Sequence, residues 1–200
     1  MRIKYLFKKV SLVIVMIVLV LHFSGCNKIE NFGNSGSMLI LNSIMGTDLD
    51  QNASTISFSD VLTNGSVFDD KGTIQVQGAL LNPDQTTAST AYQDIIIDQI
   101  DVEYSRADGL TVQGKDVPYS FSQKVSIKVI LGKTADITFD LVQHNAKTEP
   151  PLVGLIDLGQ AHVLKLEAKV TIYGVDVAGY RVKPVTGYIS IWCANFADPS

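Results

Sequence analysis

The sequence has little of several residue types on which nucleic-acid-binding proteins and many enzymes depend. Its 200 residues include two cysteines, three histidines and a single tryptophan. Four of the 16 basic residues lie in the first 25 positions, so the remaining chain has 12 basic and 20 acidic side chains. Nucleic-acid binding needs a basic surface that displaces counterions from the phosphates, and this balance excludes that class. A polybasic patch on anionic lipid is excluded for the same reason.

The apolar run near the N-terminus is too short to cross a membrane as a helix. A basic opening of four Lys and Arg residues leads into twelve residues, 10–21, which are apolar apart from Ser11. A membrane-spanning helix needs about 20 such residues. A run of twelve suits the central region of a secretory signal, which carries its positive charge on the cytoplasmic side. We therefore expect residues 1–25 to be an export signal that is removed.

Two small residues and a cysteine follow this apolar run, in the order Phe23-Ser24-Gly25-Cys26. This tetrapeptide resembles the lipobox of bacterial lipoprotein signal peptides. The resemblance implies cleavage between Gly25 and Cys26, a diacylglyceryl group on the Cys26 thiol and an acyl chain on its new amino group. Two or three acyl chains anchor a protein stably, whereas one holds it only marginally. The alternatives are a plain signal peptide or an uncleaved anchor helix, with Cys26 incidental.

The resemblance also predicts where the mature protein resides. It implies a cell-envelope protein that is held to a membrane through the lipid on Cys26. Asn27 follows the cysteine, and Gram-negative lipoproteins without aspartate at this place mostly move to the outer membrane. Whether the domain faces the periplasm or the cell surface stays open. Once Cys26 is acylated, Cys193 is the one remaining thiol, so we expect no intramolecular disulfide.

The rest of the sequence divides into a tether and one domain. Polar, Gly/Ser/Asn-rich residues follow Cys26, and we expect 26–37 to be a flexible tether. Across 38–200, apolar and polar residues alternate with a period of two, most regularly over 164–172. This alternation predicts half-buried strands. Turn signals separate the runs at hairpin spacing, at 69–72, 106–109, 131–133 and 176–179.

About eight strands with polar outer faces predict an all-β domain. The pattern favours an antiparallel two-sheet sandwich, Ig-like or fibronectin-like, with a small barrel as the alternative. The proline-containing connection 145–159 has room for one short helix. Residues 170–179, 187–191 and 195–198 resemble the last hairpin of uncharacterised, Ig-like bacterial lipoproteins, for which no catalytic residue is established.

Candidate catalytic residues are few. After the signal, the histidines are His144 and His162, which we expect on the surface, at a strand end and a strand start. Cys193 has the parity of Ile189 and Ile191, which predicts a buried and inert thiol. The sequence contains no Gly-x-Ser-x-Gly elbow. We therefore predict that the protein is not an enzyme and needs no cofactor, and an envelope hydrolase is the least favoured alternative.

No metal site is predicted either. Asp48, Asp50 and Asn52 match the first three ligand positions of a calcium loop, but Ala53 and Ser59 stand where that loop needs glycine and glutamate. An Asp/Asn-rich turn between strands is the better interpretation. The two remaining histidines have no cysteine pair beside them, so zinc is poorly supported.

The last strand carries large side chains on both faces. If Ile189, Ile191 and Cys193 face the core, then Tyr188 and Trp192 face outward with Phe196. Aromatic rings on a sheet face suit stacking on sugar rings or binding of a partner protein. The alternative is that the tether or a neighbouring loop covers them.

These observations together predict a lipid-anchored, non-enzymatic binding or structural module of the cell envelope. Tyr188 and Trp192 are its candidate ligand-binding residues, and its partner would be an envelope protein or a glycan. A carbohydrate-binding module that uses the aromatic strand face is the first alternative.

Overall fold

The computed structural model describes residues 35–82 and 90–196. Gly25, Cys26, the signal and most of the tether lie outside these ranges, so what the sequence predicts for them stays a prediction. The described ranges contain nine strands: β1 (Ser37–Thr47), β2 (Ala53–Ser54), β3 (Ile56–Asp60), β4 (Asp70–Leu80), β5 (Ile95–Arg106), β6 (Phe121–Val129), β7 (Thr134–Val142), β8 (Leu164–Asp176) and β9 (Arg181–Ala194).

The strands form two sheets. The four-stranded sheet has the order β2-β1-β4-β7, and the five-stranded sheet has the order β3-β9-β8-β5-β6. Neighbouring strands run antiparallel, except that β3 runs parallel to β9. The predicted all-β, two-sheet arrangement is confirmed, and the parallel pair is a departure from a purely antiparallel one.

Short helices occupy two of the connections. The helix α1 (His144–Lys147) and a 3₁₀ segment (Leu152–Ala161) lie between β7 and β8, where the sequence allows one short helix. A 3₁₀ turn (Ala91–Gln93) precedes β5. Among the described residues, no helix has the length and apolar character needed to cross a membrane.

Alternate side chains of both sheets meet in one core. On β8, Leu166, Ala168 and Val170 are buried, whereas Lys165 and Glu167 between them are exposed. The last strand follows the same rule, and its inward side chains are Ile189, Ile191 and Cys193. Each large apolar side chain that is buried contributes about 1.5–3 kcal/mol relative to an exposed one. Period-two alternation is therefore what assigns each side chain to core or solvent.

Three of the four predicted turns are confirmed, at 106–109, 131–133 and 176–179. The prediction for 69–72 is wrong, because β4 already begins at Asp70. Gly72 lies inside that strand, where an added Cβ would come 2.5 Å from a ring carbon of Phe139. The lack of a side chain at Gly72 leaves room for the Phe139 ring of the neighbouring strand β7, and it does not serve a tight turn.

The folded part includes Ser35 and Ser37, which the sequence analysis assigned to the tether. Both are buried, and Ser37 is the first residue of β1. Ser35 Oγ donates to Asp176 Oδ2 at 2.8 Å, and Ser37 Oγ donates to the carbonyl of Gln93 at 2.6 Å. These two bonds join the start of β1 to the five-stranded sheet and to the turn before β5.

A lysine is the largest of the fully buried side chains in the described ranges. Lys147, at the end of α1, is 1% exposed. Its Nζ lies 2.7 Å from Asp70 Oδ1 and donates to the carbonyl oxygen of Asp60 at 2.8 Å. Burial raises the pKa of Asp70 above its usual value, and the Lys147 charge opposes that rise. The ammonium group therefore bonds to a strand of each sheet.

We expect Lys147→Met to lower the free energy of unfolding by about 3–5 kcal/mol at pH 7.5, because it leaves the Asp70 carboxylate buried without a partner. The loss should shrink as the pH falls. A raised folded-state pKa means that the native protein favours protonated Asp70, so the penalty for the charged form is absent below the unfolded-state pKa and grows as the pH rises.

Urea unfolding at pH 4 and pH 7.5 measures both effects. Lys115→Met, which removes an exposed lysine, is the matched control and should change stability little at either pH. A Lys147→Met variant with wild-type stability at pH 7.5 contradicts the structural role of the ion pair.

Candidate ligand-binding site

Three polar side chains cross the outer face of the five-stranded sheet in one row. The strand register sets Glu103 of β5 opposite Lys169 of β8, and Lys169 opposite Tyr188 of β9. Lys169 Nζ lies 3.0 Å from Glu103 Oε2, and this hydrogen bond raises the pKa of Lys169. Tyr188 is 59% exposed, which is unusual for an aromatic residue in the middle of a paired strand. Its ring is thus available to a ligand.

A shallow groove runs along this row. It has a volume of about 420 Å³. One wall comes from the connection between β5 and β6, where Gln113 Nε2 donates to Ser120 Oγ at 3.0 Å and the Ser120 amide donates to Gln113 Oε1 at 3.3 Å. We call this the Tyr188 groove, and its lining residues are Glu103, Tyr104, Ser105, Thr111, Gln113, Ser120, Lys169 and Tyr188.

The Tyr188 groove combines one flat apolar surface with many hydrogen-bonding groups. Its hydroxyl, amide, carboxylate and ammonium groups can both donate and accept hydrogen bonds. A ring that is apolar on its face and polar at its tip binds ligands of mixed character. Neither a histidine nor a cysteine lines the groove. The arrangement therefore suits recognition of a polar ligand.

Trp192 shares the outer face with Tyr188, as predicted, but it is half-buried. Lys165 Nζ lies 4.4 Å from the centroid of its ring, and the ring of Phe58 meets it edge-on at 5.4 Å. Tyr188 and Trp192 are four residues apart, with Ser190 between them on the same face, so they lie about 13 Å apart along the strand. Of the two candidate residues, the structure puts only Tyr188 in the groove.

Phe196, the third aromatic residue predicted to face outward, is half-buried as well. Its ring packs against Phe58 at 5.7 Å, and its amide donates to Asp60 Oδ1 at 3.0 Å. It therefore stabilises the end of β9 rather than presenting a flat surface to solvent.

Most of the polar residues of the Tyr188 groove were not singled out in the sequence. Thr111, Gln113 and Ser120 lie in a connection of fourteen residues between β5 and β6. No periodic pattern relates such a connection to the sheet that it covers. Lys169 belongs to the alternating run 164–172, which predicts that it faces outward, but nothing local indicates that it lies beside Tyr188. That requires the register between β8 and β9.

The two histidines lie near strand ends, close to where they were expected. His144 follows β7, and its Nδ1 lies 2.8 Å from Asp69 Oδ1, which also accepts a hydrogen bond from the His144 amide at 2.7 Å. The backbone hydrogen bond is the main cause that lowers the pKa of Asp69. Within residues 35–82 and 90–196, His144 makes no hydrogen bond to a hydroxyl or thiol. His162 precedes β8 and contacts the carbonyl of Leu158 at 3.4 Å.

Cys193 lies in the core, as its parity predicted. It is fully buried, and desolvation raises the pKa of its thiol to about 12. A nucleophilic cysteine needs an exposed thiol with a lowered pKa, and Cys193 has neither property.

The Asp/Asn-rich segment after β1 is a turn. Asp48 Oδ1 accepts hydrogen bonds from the amides of Asp50 and Asn52, at 2.9 and 2.8 Å. These bonds are the self-capping pattern of an Asx turn. In the part of the chain that the structure describes, no group of three or more His, Cys, Asp and Glu residues is placed to hold a metal ion.

Comparisons with known proteins give little similarity. No family model matches the chain, and no curated protein matches it. Among solved structures, the chain is similar to a protein from Bordetella pertussis provisionally named ApaA, with 12% sequence identity and a TM-score of 0.30. The alignment covers 80% of this chain and 95% of that one.

We expect Lys165→Ala to expose the ring of Trp192, because the variant removes both the ammonium group above the ring and the aliphatic stem that covers it. Emission should shift to longer wavelength and acrylamide quenching should increase, with stability reduced by about 0.5–1 kcal/mol. Trp192 is the one tryptophan in the chain, so the signal is unambiguous. Lys133→Ala, at an exposed turn, is the control. Equal quenching of wild type and Lys165→Ala would show that Trp192 is already open.

Proposed function

We propose that this protein is a non-enzymatic, lipid-anchored binding module of the cell envelope, and that its domain presents the Tyr188 groove to a ligand. The observation that carries the proposal is the exposed ring of Tyr188, set on a rigid strand beside convergent polar groups. Rigid placement lowers the entropy cost of binding. Aromatic residues of this kind are enriched among those that dominate binding energy.

The anchor is the part of this proposal that rests on the sequence. Its support is the lipobox-like Phe23-Ser24-Gly25-Cys26 after a twelve-residue run that is too short to span a membrane. Under this proposal Cys26 carries the lipid, and the protein belongs to the outer membrane if the source is Gram-negative. Both the periplasmic and the surface side are compatible with it.

We also propose that the domain is of the Ig-like type. The order β1-β4-β7 corresponds to strands A, B and E of that fold, and β9-β8-β5-β6 corresponds to G, F, C and C′. Two features of antibody domains are missing here. β4 and β8, at the positions of B and F, contain no cysteine, and the tryptophan lies in β9 rather than in the strand at position C.

A carbohydrate is the first alternative as a specific ligand class. Sugars present apolar ring faces and many hydroxyl groups, and the groove pairs an aromatic face with the amide of Gln113 and the hydroxyls of Thr111 and Ser120. An envelope protein remains the other partner class. The groove's mixed charges, from Glu103 and Lys169, favour a neutral ligand over a strongly charged one.

An envelope hydrolase has less support. Such an enzyme needs a base held beside a nucleophile. His144 has its carboxylate partner in Asp69, but no hydroxyl or thiol of the described residues bonds to it, and the pair does not line the Tyr188 groove.

The proposed lipidation of Cys26 predicts a defined increase in the mass of the N-terminal peptide. The N-terminal peptide of the protein purified from membranes should begin at Cys26 and carry a diacylglyceryl group and an acyl chain, measured by mass spectrometry. Cys26→Ser should abolish both the modification and cleavage after Gly25. Cys193→Ala, which removes the other thiol, is the matched control and should leave the peptide unchanged. If Cys26→Ser is still cut at the same bond and stays on membranes after a salt wash, the anchor is refuted.

Tyr188→Ala tests the groove. A glycan array with wild-type protein identifies binders, and calorimetry then measures affinity for the best of them. We expect Tyr188→Ala to weaken binding about thirtyfold, since an aromatic residue that dominates a binding surface contributes roughly 2 kcal/mol. Tyr180→Ala removes another exposed tyrosine, at the turn between β8 and β9, and should bind like wild type. Equal affinities for both variants would place the ligand elsewhere, and an array without binders would favour a protein partner.

A further inference from the structure

The two sheets leave an opening along one side of the domain. Among the described residues, β3 pairs with β9 only over 190–194, and β2 pairs with β1 only at 46–47. The first half of each of these long strands therefore has one unpaired edge, and the two edges face each other across a groove of about 750 Å³. We call it the edge groove. Small-molecule sites commonly have volumes of about 300–1,000 Å³.

A glycine closes one end of the edge groove. An added Cβ on Gly187 would come 2.5 Å from Leu41 Cδ2 and 2.7 Å from Ile44 Cδ1, so β1 and β9 touch at this point. From there toward Arg181, residues of both strands line the groove. The groove is therefore closed at the end where β1 and β9 touch.

The lining of the edge groove is apolar at its floor. Leu39 and Val182 are buried there, and Leu41 and Val185 are half-buried beside them. An apolar floor of this kind binds an aliphatic chain by removing its surface from water, at about 25 cal/mol per Å².

The rim of the groove is basic. Arg181 pairs with Asp98 at 2.6 Å, whereas Lys183 is exposed and makes no ion pair within the described residues. The domain is acidic as a whole, so Lys183 in the lining of an apolar groove is a local complement for one negative charge. Pro184 follows Lys183 in the half of β9 that does not pair with β3, and it has no amide hydrogen to donate. Addition of a peptide strand is therefore disfavoured at this edge.

We propose that the edge groove binds a free long-chain carboxylate, with the aliphatic chain on the floor and the carboxylate beside Lys183. This site is independent of the Tyr188 groove, since the two share no lining residue.

The test is photo-crosslinking of the full chain, purified in a mild detergent, with a diazirine analogue of palmitate. We expect crosslinks to map by mass spectrometry to residues 37–41 and 181–186 and to be competed by palmitate. Val185→Trp should abolish them by filling the floor. Lys183→Gln should weaken competition by palmitate about twofold to fivefold, as loss of an exposed charge partner predicts. Lys115→Gln, an exposed lysine elsewhere, is the control, and circular dichroism checks that each variant folds.

Four results would overturn the proposal. Crosslinks outside the two segments, or crosslinks that survive Val185→Trp in a folded variant, place the chain elsewhere. Equal competition by palmitate and hexadecanol shows that the carboxylate is not recognised. Labelling that occurs in the Cys26→Ser chain but not in wild type shows that the groove holds the protein's own acyl chain instead of a free one.

Discussion

One ammonium group, Lys147 Nζ, holds one end of the two sheets together. It bonds to Asp70 on the four-stranded sheet and to the carbonyl of Asp60 on the five-stranded sheet. Removing two charges from water is costly, and the cost is offset only when the geometry of the pair is fixed and its hydrogen bonds are made. The connection between β7 and β8 must therefore bring Lys147 to the position between Asp60 and Asp70. Asp69 adds to the constraint because it accepts hydrogen bonds from both the amide and the ring of His144.

Carboxylates hold the opposite end in a similar way. Asp176 accepts from Ser35 Oγ and from the Tyr180 amide, and Asp94 accepts from the Leu131 amide. Polar bonds hold both ends and side chains fill the interior, and two of the surfaces outside them concern the proposed sites. One is the outer face of the five-stranded sheet, and the other is the lateral opening between β1 and β9. The two proposed sites use these two surfaces.

Much of the fold was predictable because a single local rule governs it. Period-two alternation assigned the inward side of β8 and β9 and put Cys193 in the core, and glycine-containing turns marked the end of β5 and the connections β6–β7 and β8–β9. Local patterns failed where the position of a residue depends on a contact with a residue far away in the sequence. Asp70 and Gly72 have the composition of a turn, but Asp70 is held by Lys147 and Gly72 accommodates Phe139.

The candidate site was less predictable than the fold for the same reason. Parity put Tyr188 and Trp192 on one face, yet it carries no information on what covers that face. Lys165 lies opposite Trp192 and Lys169 opposite Tyr188, so the same register places a lysine beside each ring. The two rings differ in whether a residue of a third strand, β3, lies beside them. Phe58 of β3 adjoins Trp192, whereas the parallel pairing of β3 with β9 begins only at Ser190, past Tyr188.

The late start of β3 pairing along β9 therefore links the two proposed sites. Because β3 pairs with β9 only over 190–194, the ring of Tyr188 lacks the aromatic neighbour that Trp192 has, and the edge of β9 beyond Gly187 stays open toward β1. A longer β3 would cover both surfaces at once. Both grooves are open to solvent, where polar contacts are weaker than in a dry interior. Under the proposed lipid anchor modest affinity suffices, because a domain confined to a membrane surface meets its ligands at high effective concentration.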